Sequence, residues 1–398
     1  MAPQPAAPAS PARGTRPRNR RALILAAATE LFYRRGYDQL TMGDLAEAVG
    51  IGPSALYRHF TGKQHLLREV LTDGLAPARR VLTELDVADR AAALRRLGAL
   101  AVDHRPLGLL WQREARHLTN EDRAAFRGDL HQIGALLTGH VRTLRPGIDP
   151  AAAELLAWSM IGVLTSISFH RVELPRPGYD DLLAELAGAV LDTPLPDGFT
   201  AAPPPRPGFV ALVPASRREA LLNEAVRMFA AHGYTEVGIE EIAAAVGISG
   251  PSVYHHFPSK LDLLVTALRR GAAALLTDVS AVYRTATGAG DGLGRLVRSY
   301  LGFTQAHHEL VDLLITEVDH LPDDERRHSR QTQRDYLDEW VHLLRAVHPG
   351  LDPAAARVRV QAVLTVANDA ARTPRVRANP ALPAALEAIA TQLLHLPD

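Results

Sequence analysis

A long internal repeat is the feature that most restricts how this chain can fold. Lysine occurs at only two positions, Lys63 and Lys260, and these residues close the similar stretches ALYRHFTGK (55–63) and SVYHHFPSK (252–260). The same offset of 197 residues continues without a gap over more than 30 residues. It pairs Phe32 with Phe229, Gly36 with Gly233, Tyr37 with Tyr234, Gly50 with Gly247, and Tyr57 with Tyr254. Such a repeat is interpreted before any local pattern, because it fixes the number of structural units.

The repeat extends through most of each half of the chain. Beyond residue 103 the offset becomes 203 residues, so that RPGIDPAAA (145–153) matches HPGLDPAAA (348–356). This offset also pairs Glu114, His117 and Leu118 with Glu317, His320 and Leu321. The proline-rich segment 193–216 between the copies favours a semi-extended linker, long enough for the halves to pack side by side. The sequence therefore predicts two copies of one plan.

The apolar residues of each copy recur at helical spacing. They occupy one face at Ile24, Ala27, Ala28, Leu31 and Phe32 in the first copy, and at Leu221, Ala225, Met228 and Phe229 in the second, where Glu224 is a mismatch. Gly36 and Gly233 are suited to end a helix in a left-handed conformation. Asp149-Pro150 and Asp352-Pro353 are suited to start long apolar helices. Because no alternating strand pattern occurs, we predict an all-α fold.

Composition excludes several classes of protein. The 398 residues carry 44 Lys and Arg against 44 Asp and Glu, so bulk charge indicates neither a nucleic-acid nor a membrane partner. The absence of cysteine excludes disulfides and thiolate chemistry and fits a reducing cytoplasm. No apolar run approaches the roughly 18 residues of a membrane span. Residues 1–20 favour a disordered basic arm, with a transit peptide as the alternative. We expect a cytoplasmic protein without membrane contact.

The short third helix of each copy carries the candidate DNA contacts. Leu56 and Phe60 lie four residues apart and face inward, which turns the residues between them outward from a helix-turn-helix. The second helix of a helix-turn-helix, which is the third helix of each copy here, enters the major groove with its N-terminal residues. The candidates are Thr41, Gly52, Pro53, Ser54, Ala55, Tyr57, Arg58 and Lys63 in the first copy, and Ser249, Gly250, Pro251, Ser252, Tyr254, His255 and Lys260 in the second.

Lys63 and Lys260 are interpreted as mobile ammonium groups at a helix start, which suits a DNA phosphate. Other interpretations remain open for their neighbours. Tyr57, taken alone, fits a half-buried packing residue, and His59 and His256 fit local packing or hydrogen bonding. A metal site at His255 and His256 is disfavoured because carboxylate or cysteine partners at ligand spacing are absent from the sequence.

Two segments resemble the DNA-binding domain of the TetR family of transcriptional regulators. They read LILAAATELFYRRGYDQLTMGDLAEAVGIGPSALYRHFTGKQHLL and LLNEAVRMFAAHGYTEVGIEEIAAAVGISGPSVYHHFPSKLDLL. The resemblance implies regulators, usually repressors, that bind an operator as a dimer through the helix-turn-helix. A small apolar ligand in the C-terminal bundle, which also forms the dimer interface, releases them. Two fused copies resemble a tandem group that includes mycobacterial regulators of lipid-uptake and lipid-degradation genes, which suggests a lipid-like effector.

Pattern and resemblance together divide the chain into six segments. These are a basic arm (1–20), a first helix-turn-helix domain (21–68), a first helical ligand-binding and dimerisation domain (69–192), the linker (193–216), a second helix-turn-helix domain (217–265) and a second helical domain (266–398). We expect the halves to pack as an intramolecular pseudo-dimer; further self-association is also open.

The two copies depart from the family pattern at different positions, and we expect the second to bind DNA weakly or only after the first has docked. It has Gly238 where the first copy has Thr41 as a cap, whereas it keeps a serine, Ser249, where the first copy has Gly52. Residues 1–68 carry ten Lys and Arg against four Asp and Glu, a net charge of +6. Residues 214–268 carry four against six, a net charge of −2. We expect the first copy to supply more of the affinity for DNA.

The apolar helices after each DNA-binding domain are candidates for the effector site. In the first half, Trp111, Arg113, His117, Trp158 and Ser166 are candidate pocket residues, although each also fits a core, cap or salt-bridge role. Neither a cofactor nor a metal is expected. The sequence predicts a DNA-binding regulator rather than an enzyme. The alternatives are an enzyme on a helical bundle, for which neither a nucleophile-base pair nor metal spacing is found, and a ligand-binding scaffold that has lost DNA binding.

Overall fold

The computed structural model describes residues 20–196, 199–200, 212 and 214–396. Throughout these ranges the chain forms α-helices and short 3-10 helices, without a β-strand. The all-α fold class expected from the sequence is therefore confirmed. The predicted basic arm, apart from Arg20, and most of the predicted linker lie outside the described residues.

The first half forms a series of α-helices of 5 to 25 residues. The α-helices are α1 (Arg20–Arg35), α2 (Met42–Ala48), α3 (Pro53–Tyr57), α4 (Lys63–Thr83), α5 (Arg90–Asp103), α6 (Leu107–Arg113), α7 (Asn120–Leu144), α8 (Pro150–Thr165) and α9 (Gly178–Asp192). Short 3-10 helices follow α6 at Ala115–His117 and α8 at Ser166–Phe169.

The second half repeats this series. Its α-helices are α10 (Arg217–His232), α11 (Ile239–Ala245), α12 (Gly250–Val253), α13 (Lys260–Thr285), α14 (Ala289–Ala306), α15 (His308–Thr316), α16 (Asp323–Val347), α17 (Pro353–Arg372), α18 (Pro374–Arg377) and α19 (Leu382–Leu394). A 3-10 helix at Val318–His320 follows α15. The bounds of α7 and α16 match end to end at the offset of 203 residues, so the repeat is structural as well as sequential.

The helices group into two compact units. One contains residues 20–80 and 104–133, and the other contains residues 81–103 together with the described residues from 134 onward. The predicted domain boundary at residue 68 falls inside α4, a continuous helix. In the first unit, α6 and its 3-10 turn are grouped with the helix-turn-helix, although the sequence assigned them to the ligand domain. The six predicted segments stay a prediction.

The first helix of each copy is held by the predicted apolar face. Ile24, Ala28 and Phe32 are buried in α1, and the helix ends where the Gly36 N–H donates to the Phe32 carbonyl over 2.9 Å. Gly36 has a φ of 78°, a conformation that costs a residue with a Cβ atom more than it costs glycine. Gly233 ends α10 in the same way with a φ of 88°, so both predicted stops are confirmed.

The second unit contains the long apolar helices. Asp149 and Asp352 cap α8 and α17 through side-chain oxygens that accept backbone N–H groups, as predicted. Helix α5 packs closely against α9, where a Cβ added at Gly98 would lie 2.3 Å from the Asp180 carbonyl oxygen. Only glycine fits that contact.

Helices from the two halves also pack together within this unit. Helix α8 contacts α17, and α9 contacts α19. At the α8–α17 contact, a Cβ added at Gly162 would lie 3.2 Å from Val366 Cγ2, so the two helices approach closely. The last long helices of one copy therefore bury their apolar faces against the equivalent helices of the other.

One stretch, Pro150–Phe169, is long and apolar enough to cross a membrane, so the expectation that no such run occurs is wrong. This stretch combines α8 with the 3-10 helix that follows it. Because 78% of it is buried inside the protein, its apolarity is accounted for by packing against α9 and α17.

Candidate nucleic-acid interface

The first helix-turn-helix starts from a fully formed capping box. Asp44 N–H donates to Thr41 Oγ1 over 3.1 Å, and Thr41 N–H donates to Asp44 Oδ2 over 2.8 Å. The hydrogen bonds from Thr41 hold the pKa of the Asp44 carboxyl below its usual range. The predicted cap at Thr41 is confirmed, and it fixes the start of α2 beside the short helix α3.

Helix α3 presents the predicted reading surface. Leu56 and Phe60 are buried, whereas Pro53, Ser54 and Arg58 are exposed and Ala55 is half-buried. Gly52 is the N-cap residue and is exposed. Tyr57 is 53% exposed, so packing against the frame and a contact with DNA both stay open for it. Tyr57 ends α3 and Arg58 follows it, and both are exposed, so a hydroxyl and a guanidinium are accessible at the end of this short helix.

The second copy builds the same frame with different side chains. Val253 and Phe257 are buried, and Tyr254 is 53% exposed, the same value as Tyr57. His255 is exposed at the position of Arg58. Ser249 Oγ lies 2.8 Å from Ser252 Oγ, so these two hydroxyls bond to each other at the start of α12. Gly250 and Pro251 form the first turn.

The two lysines have local partners that the sequence did not predict. Lys63 Nζ donates to the carbonyl oxygens of Tyr37 and Leu40 over 2.9 and 2.8 Å, and it lies 4.0 Å from the centroid of the Tyr37 ring. Burial lowers the pKa of this ammonium. Lys63 is therefore a clamp between α4 and the turn after α1. Its interpretation as a mobile ammonium group is wrong, because its donors are already engaged.

Lys260 repeats this clamp in the second copy. Its Nζ donates to the carbonyl oxygens of Tyr234 and Val237 over 2.8 and 2.9 Å and lies 4.4 Å from the Tyr234 ring centroid. The survival of both lysines is explained by this bonding, since the turn leaves carbonyl oxygens that no helix satisfies. A contact of either lysine with DNA stays a prediction.

A carboxylate lies at the start of the second reading helix. A Cβ added at Gly250 would lie 3.4 Å from Glu240 Cγ and 3.5 Å from Glu240 Oε1, so Glu240 covers the first turn of α12. The equivalent position in the first copy is Gly43, which carries no charge. A carboxylate here opposes an approaching phosphate. Our sequence interpretation counted total charge and missed this residue, although the Gly43–Glu240 mismatch was visible in the repeat.

Two of the candidate ligand residues, Arg113 and His117, instead contact the first helix-turn-helix. Arg113 Nη2 donates to the Phe32 carbonyl over 2.8 Å, and its Nε bonds to the buried carboxylate of Glu114. Glu114 Oε2 accepts the Tyr37 N–H over 3.0 Å. The His117 ring stacks on the Tyr37 ring at 4.5 Å. We therefore correct the assignment of both residues to a bundle pocket. Arg113 contacts the end of α1, and His117 contacts the turn that follows it.

The equivalent contact in the second copy lacks the guanidinium. Thr316 stands in place of Arg113, and its hydroxyl donates to Glu317 Oε1 over 3.1 Å. His320 Nε2 lies 3.1 Å from Thr235 Oγ1, and the His320 ring packs at 5.3 Å from Tyr234. In both copies, residues at or just after the end of the sixth helix of the copy contact the end of its first helix or the turn that follows it. The first copy includes the charged Arg113 in this contact, whereas the second has the neutral Thr316 at that position.

The remaining ligand candidates do not extend these contacts. Trp111 is half-buried in the first unit, whereas Trp158 and Ser166 belong to the second. A Cβ added at Gly134 would lie 2.6 Å from the Trp158 ring, and the buried Ser166 hydroxyl donates to the Val163 carbonyl over 2.7 Å. The five candidates thus fall in two units. Among the described residues, groups of three or more His, Asp or Glu side chains that could hold a metal ion are absent.

An exposed third helix on a capped, buried frame, present twice in an all-α chain, defines the class of helix-turn-helix DNA-binding regulators. The chain belongs to the TetR family. The family model described as "Bacterial regulatory proteins, tetR family" matches residues 24–70 and again residues 221–267. The two matches occupy the same place in each copy, since they are related by the offset of 197 residues.

The following relatives each match less than half of this chain. The chain is 30% identical over 156 residues to the HTH-type transcriptional activator FasR of Mycolicibacterium smegmatis, covering 39% of this chain and 71% of FasR. It is 31% identical over 137 residues to the HTH-type transcriptional repressor KstR2 of Rhodococcus jostii, covering 33% of this chain and 65% of KstR2. The structural match to a solved TetR-family transcriptional regulator from Bordetella parapertussis covers 46% of this chain and 94% of the solved chain, with 23% sequence identity and a TM-score of 0.42.

Proposed function

We propose that this protein is a transcriptional repressor whose single chain acts as an intramolecular pseudo-dimer on a non-palindromic operator, and that a small apolar effector, lipid-like by resemblance, releases it. The observation that carries the proposal is the packing of α8 and α9 of the first half against α17 and α19 of the second. In the family, the equivalent helices join two separate chains. Here one chain supplies both sides of the contact.

An ion pair across this contact favours pairing between unlike halves. Arg359, buried in α17, donates through Nη2 to Glu185 Oε1 in α9 over 2.6 Å. At the offset of 203 residues, the equivalent of Arg359 is Leu156 and the equivalent of Glu185 is Ala388. Two second halves packed together would place Arg359 against Ala388. That pairing is disfavoured, because a buried charge without a partner is strongly destabilising.

The two reading surfaces support an asymmetric operator. The first presents Tyr57 and Arg58, and the second presents Tyr254 and His255 with Glu240 beside the helix start. Arginine offers a fork of donors that fits a guanine edge, whereas histidine is shorter and offers fewer. The proposed DNA contacts stay those predicted from the sequence, with Lys63 and Lys260 acting through the turns that they hold.

The direction of regulation is proposed from the family. The relatives include an activator, FasR, and the KstR2 repressors of two organisms. Repression fits the family's usual mode, in which the dimer occupies an operator until an effector enters the bundle. Transcription in vitro from a template with the operator, with and without the protein, shows directly whether the protein represses or activates. Increased transcription on adding the protein would contradict repression.

Light scattering of the full chain with duplex DNA tests the pseudo-dimer. The duplex is first obtained by gel shift with DNA flanking the gene. We expect one chain of 43.1 kDa per duplex, because both reading surfaces are in one chain. Two chains on one duplex would contradict the proposal, and a complete lack of binding would favour the ligand-binding scaffold that has lost DNA contact.

Cutting the chain tests the contact between the halves. A protease site inserted in the linker should leave two fragments that elute together from a sizing column. Glu185→Ala, which installs the second-copy residue, should weaken that association since Arg359 loses its carboxylate. Fragments of the parent chain that separate cleanly would contradict the pseudo-dimer.

A further inference from the structure

A buried carboxylate lies beside the helix-turn-helix at the same place in both copies. Glu114 and Glu317, which the offset of 203 residues pairs, are each 1% exposed. In the first copy the Arg113 guanidinium bonds to this carboxylate, which also accepts the Tyr37 N–H. Burial raises the pKa of the Glu114 carboxyl, and the charge of Arg113 acts against this rise. The first copy thus gives its buried carboxylate a permanent positive partner.

The second copy replaces both arginines that surround this carboxylate. Thr316 stands in place of Arg113, and Asp319 stands in place of Arg116. The Thr316 hydroxyl donates to Glu317 Oε1 over 3.1 Å, but a hydroxyl carries no charge. One neutral and one acidic side chain therefore occupy the positions of two cations, although the carboxylate beside them is just as deeply buried.

A histidine lies near the carboxylate in both copies, and its bonding differs between them. In the first copy Arg116 Nε donates to His117 Nε2 over 3.3 Å, so an arginine occupies the lone pair that a further proton would need. In the second copy His320 Nδ1 lies 3.5 Å from Glu317 Oε2, and His320 Nε2 lies 3.1 Å from Thr235 Oγ1. A hydroxyl both donates and accepts hydrogen bonds. Thr235 therefore fits the neutral ring and the protonated ring alike.

The charged groups on the adjoining elements favour a positive charge on His320. They include Glu236 on the turn after α10, Lys260 in α13, Asp319, and Arg326 and Arg330 in α16. The Lys260 ammonium donates to carbonyl oxygens of the turn, and the two arginines bond to Asp319 through its carbonyl and its carboxylate. Burial raises the pKa of the neighbouring Tyr234 hydroxyl, so that ring stays neutral.

We infer that the second helix-turn-helix is fastened to its bundle by a proton-dependent contact between His320 and Glu317, so that the second copy holds DNA more tightly at slightly acidic pH than at alkaline pH. The effect on DNA rests on the proposed function, whereas the contact does not. The protonated imidazole supplies the charge that Arg113 supplies in the first copy, and it steadies the turn on which the short helix rests.

The sign of the pH dependence follows from the burial of the carboxylate. Histidine changes its charge between about pH 5 and 8. A proton on His320 pairs the buried carboxylate of Glu317 with a cation, and loss of that proton leaves a buried anion whose desolvation is no longer offset. The stabilisation is therefore complete at the acidic end of this range and is lost as the pH rises through it.

Thermal melts of the full chain and of His320→Gln, at about pH 6 and about pH 8, test the contact. Glutamine keeps hydrogen-bonding groups but gains no proton in this range. We expect the substitution to lower the melting temperature by roughly 2 °C at the acidic pH and by much less at the alkaline pH. The difference between the two proteins at each pH cancels the titration of the groups that they share. An equal loss at both pH values would overturn the inference.

Two further variants show whether the carboxylate is the cause. Thr316→Arg installs the first-copy cation, and Glu317→Gln removes the buried charge. In either background, His320→Gln should cost nearly the same at both pH values, because the imidazolium no longer has an unpaired carboxylate to neutralise. An undiminished pH dependence in these backgrounds would overturn the inference.

His117→Gln is the matched control in the first copy. It should lower the melting temperature by nearly the same amount at both pH values, since Arg113 stays beside Glu114. A pH dependence as large as that of His320→Gln would show that the loss of the arginines is irrelevant and would overturn the inference.

DNA affinities of the parent chain and of His320→Gln measure the effect on function. His255 lies on the reading surface in both proteins, so only the difference between them counts. We expect the parent chain to bind about threefold more tightly than the variant at about pH 6, and about equally at pH 8. A pH-dependent melting difference without a matching affinity difference would refute the effect on DNA alone. Lack of any DNA binding would contradict the proposed function, and the melts would still decide the contact.

Discussion

The two reading surfaces of this chain share one backbone frame and differ in what they offer to DNA. Tyr57 and Tyr254 are equally exposed, and Lys63 and Lys260 hold equivalent turns through equivalent carbonyl oxygens. The differences lie outside this frame: Arg58 against His255 just after the short helix, and Gly43 against Glu240 in the helix before it. The duplication therefore kept the residues that build each helix-turn-helix and one exposed tyrosine, whereas other exposed residues near the short helix diverged.

The largest expected difference is between Arg58→Ala and His255→Ala. Arg58→Ala should weaken binding to the operator by about 2 kcal/mol, roughly 30-fold, because a bidentate arginine contact is lost. His255→Ala should cost less than about threefold, since the shorter side chain offers fewer donors. Fluorescence anisotropy at one fixed salt concentration measures both. Equal losses would mean that the two surfaces contribute alike.

The lysines should affect stability rather than the salt dependence of binding. Lys63→Ala removes the ammonium donor from the Tyr37 and Leu40 carbonyls, so we expect the free energy of unfolding of the first helix-turn-helix domain to fall by about 1–2 kcal/mol. Lys260→Ala should produce a similar loss in the second. Urea unfolding measures the effect.

The same lysine variants distinguish a clamp from a phosphate contact. A lost phosphate contact would flatten the dependence of log affinity on log salt by about one unit of slope. We expect the slope of Lys63→Ala, measured where the protein stays folded, to match that of the parent chain. A flatter slope without a change in stability would restore the original interpretation.

Exchanging Glu240 and Gly43 between the copies should shift DNA affinity in opposite directions. Glu240→Gly removes a carboxylate from the start of α12 and should tighten binding roughly three- to fivefold, with Gly43→Glu weakening it by a similar factor. Both effects should shrink at high salt, because they are electrostatic. Binding curves at low and high salt decide this; a Glu240→Gly protein that binds no better would exclude the carboxylate as the cause of asymmetry.

The smallest expected effect is at the helix cap. Gly238 lacks the side chain that Thr41 uses, but Glu241 already accepts the Gly238 N–H over 2.8 Å, so half of the box is present. Gly238→Thr should complete it and raise stability by a few tenths of a kcal/mol. Thr41→Gly should lose about as much in the first copy. Paired thermal melts measure both, and destabilisation by Gly238→Thr would show that the second turn does not accept the cap.

Repetition made the fold predictable from the sequence. Caps at Thr41, Asp149 and Asp352 and the glycine stops at Gly36 and Gly233 depend on neighbouring residues, so local patterns were enough to place them. The partners of Lys63 and Arg113 were not predictable, because both bond to backbone carbonyls whose position depends on tertiary packing. Glu240 could have been found by comparing the copies position by position.

Selection of bound sequences from a pool of random duplexes, using the full chain, tests the central claim most directly. The account predicts a non-palindromic operator with one strongly defined half and one weakly defined half. Footprints of Arg58→Ala should lose the strong half and those of His255→Ala should keep it. Recovery of a perfect inverted repeat, with both halves equally defined and equally sensitive to the two substitutions, would contradict the claim that one chain reads two different half-sites.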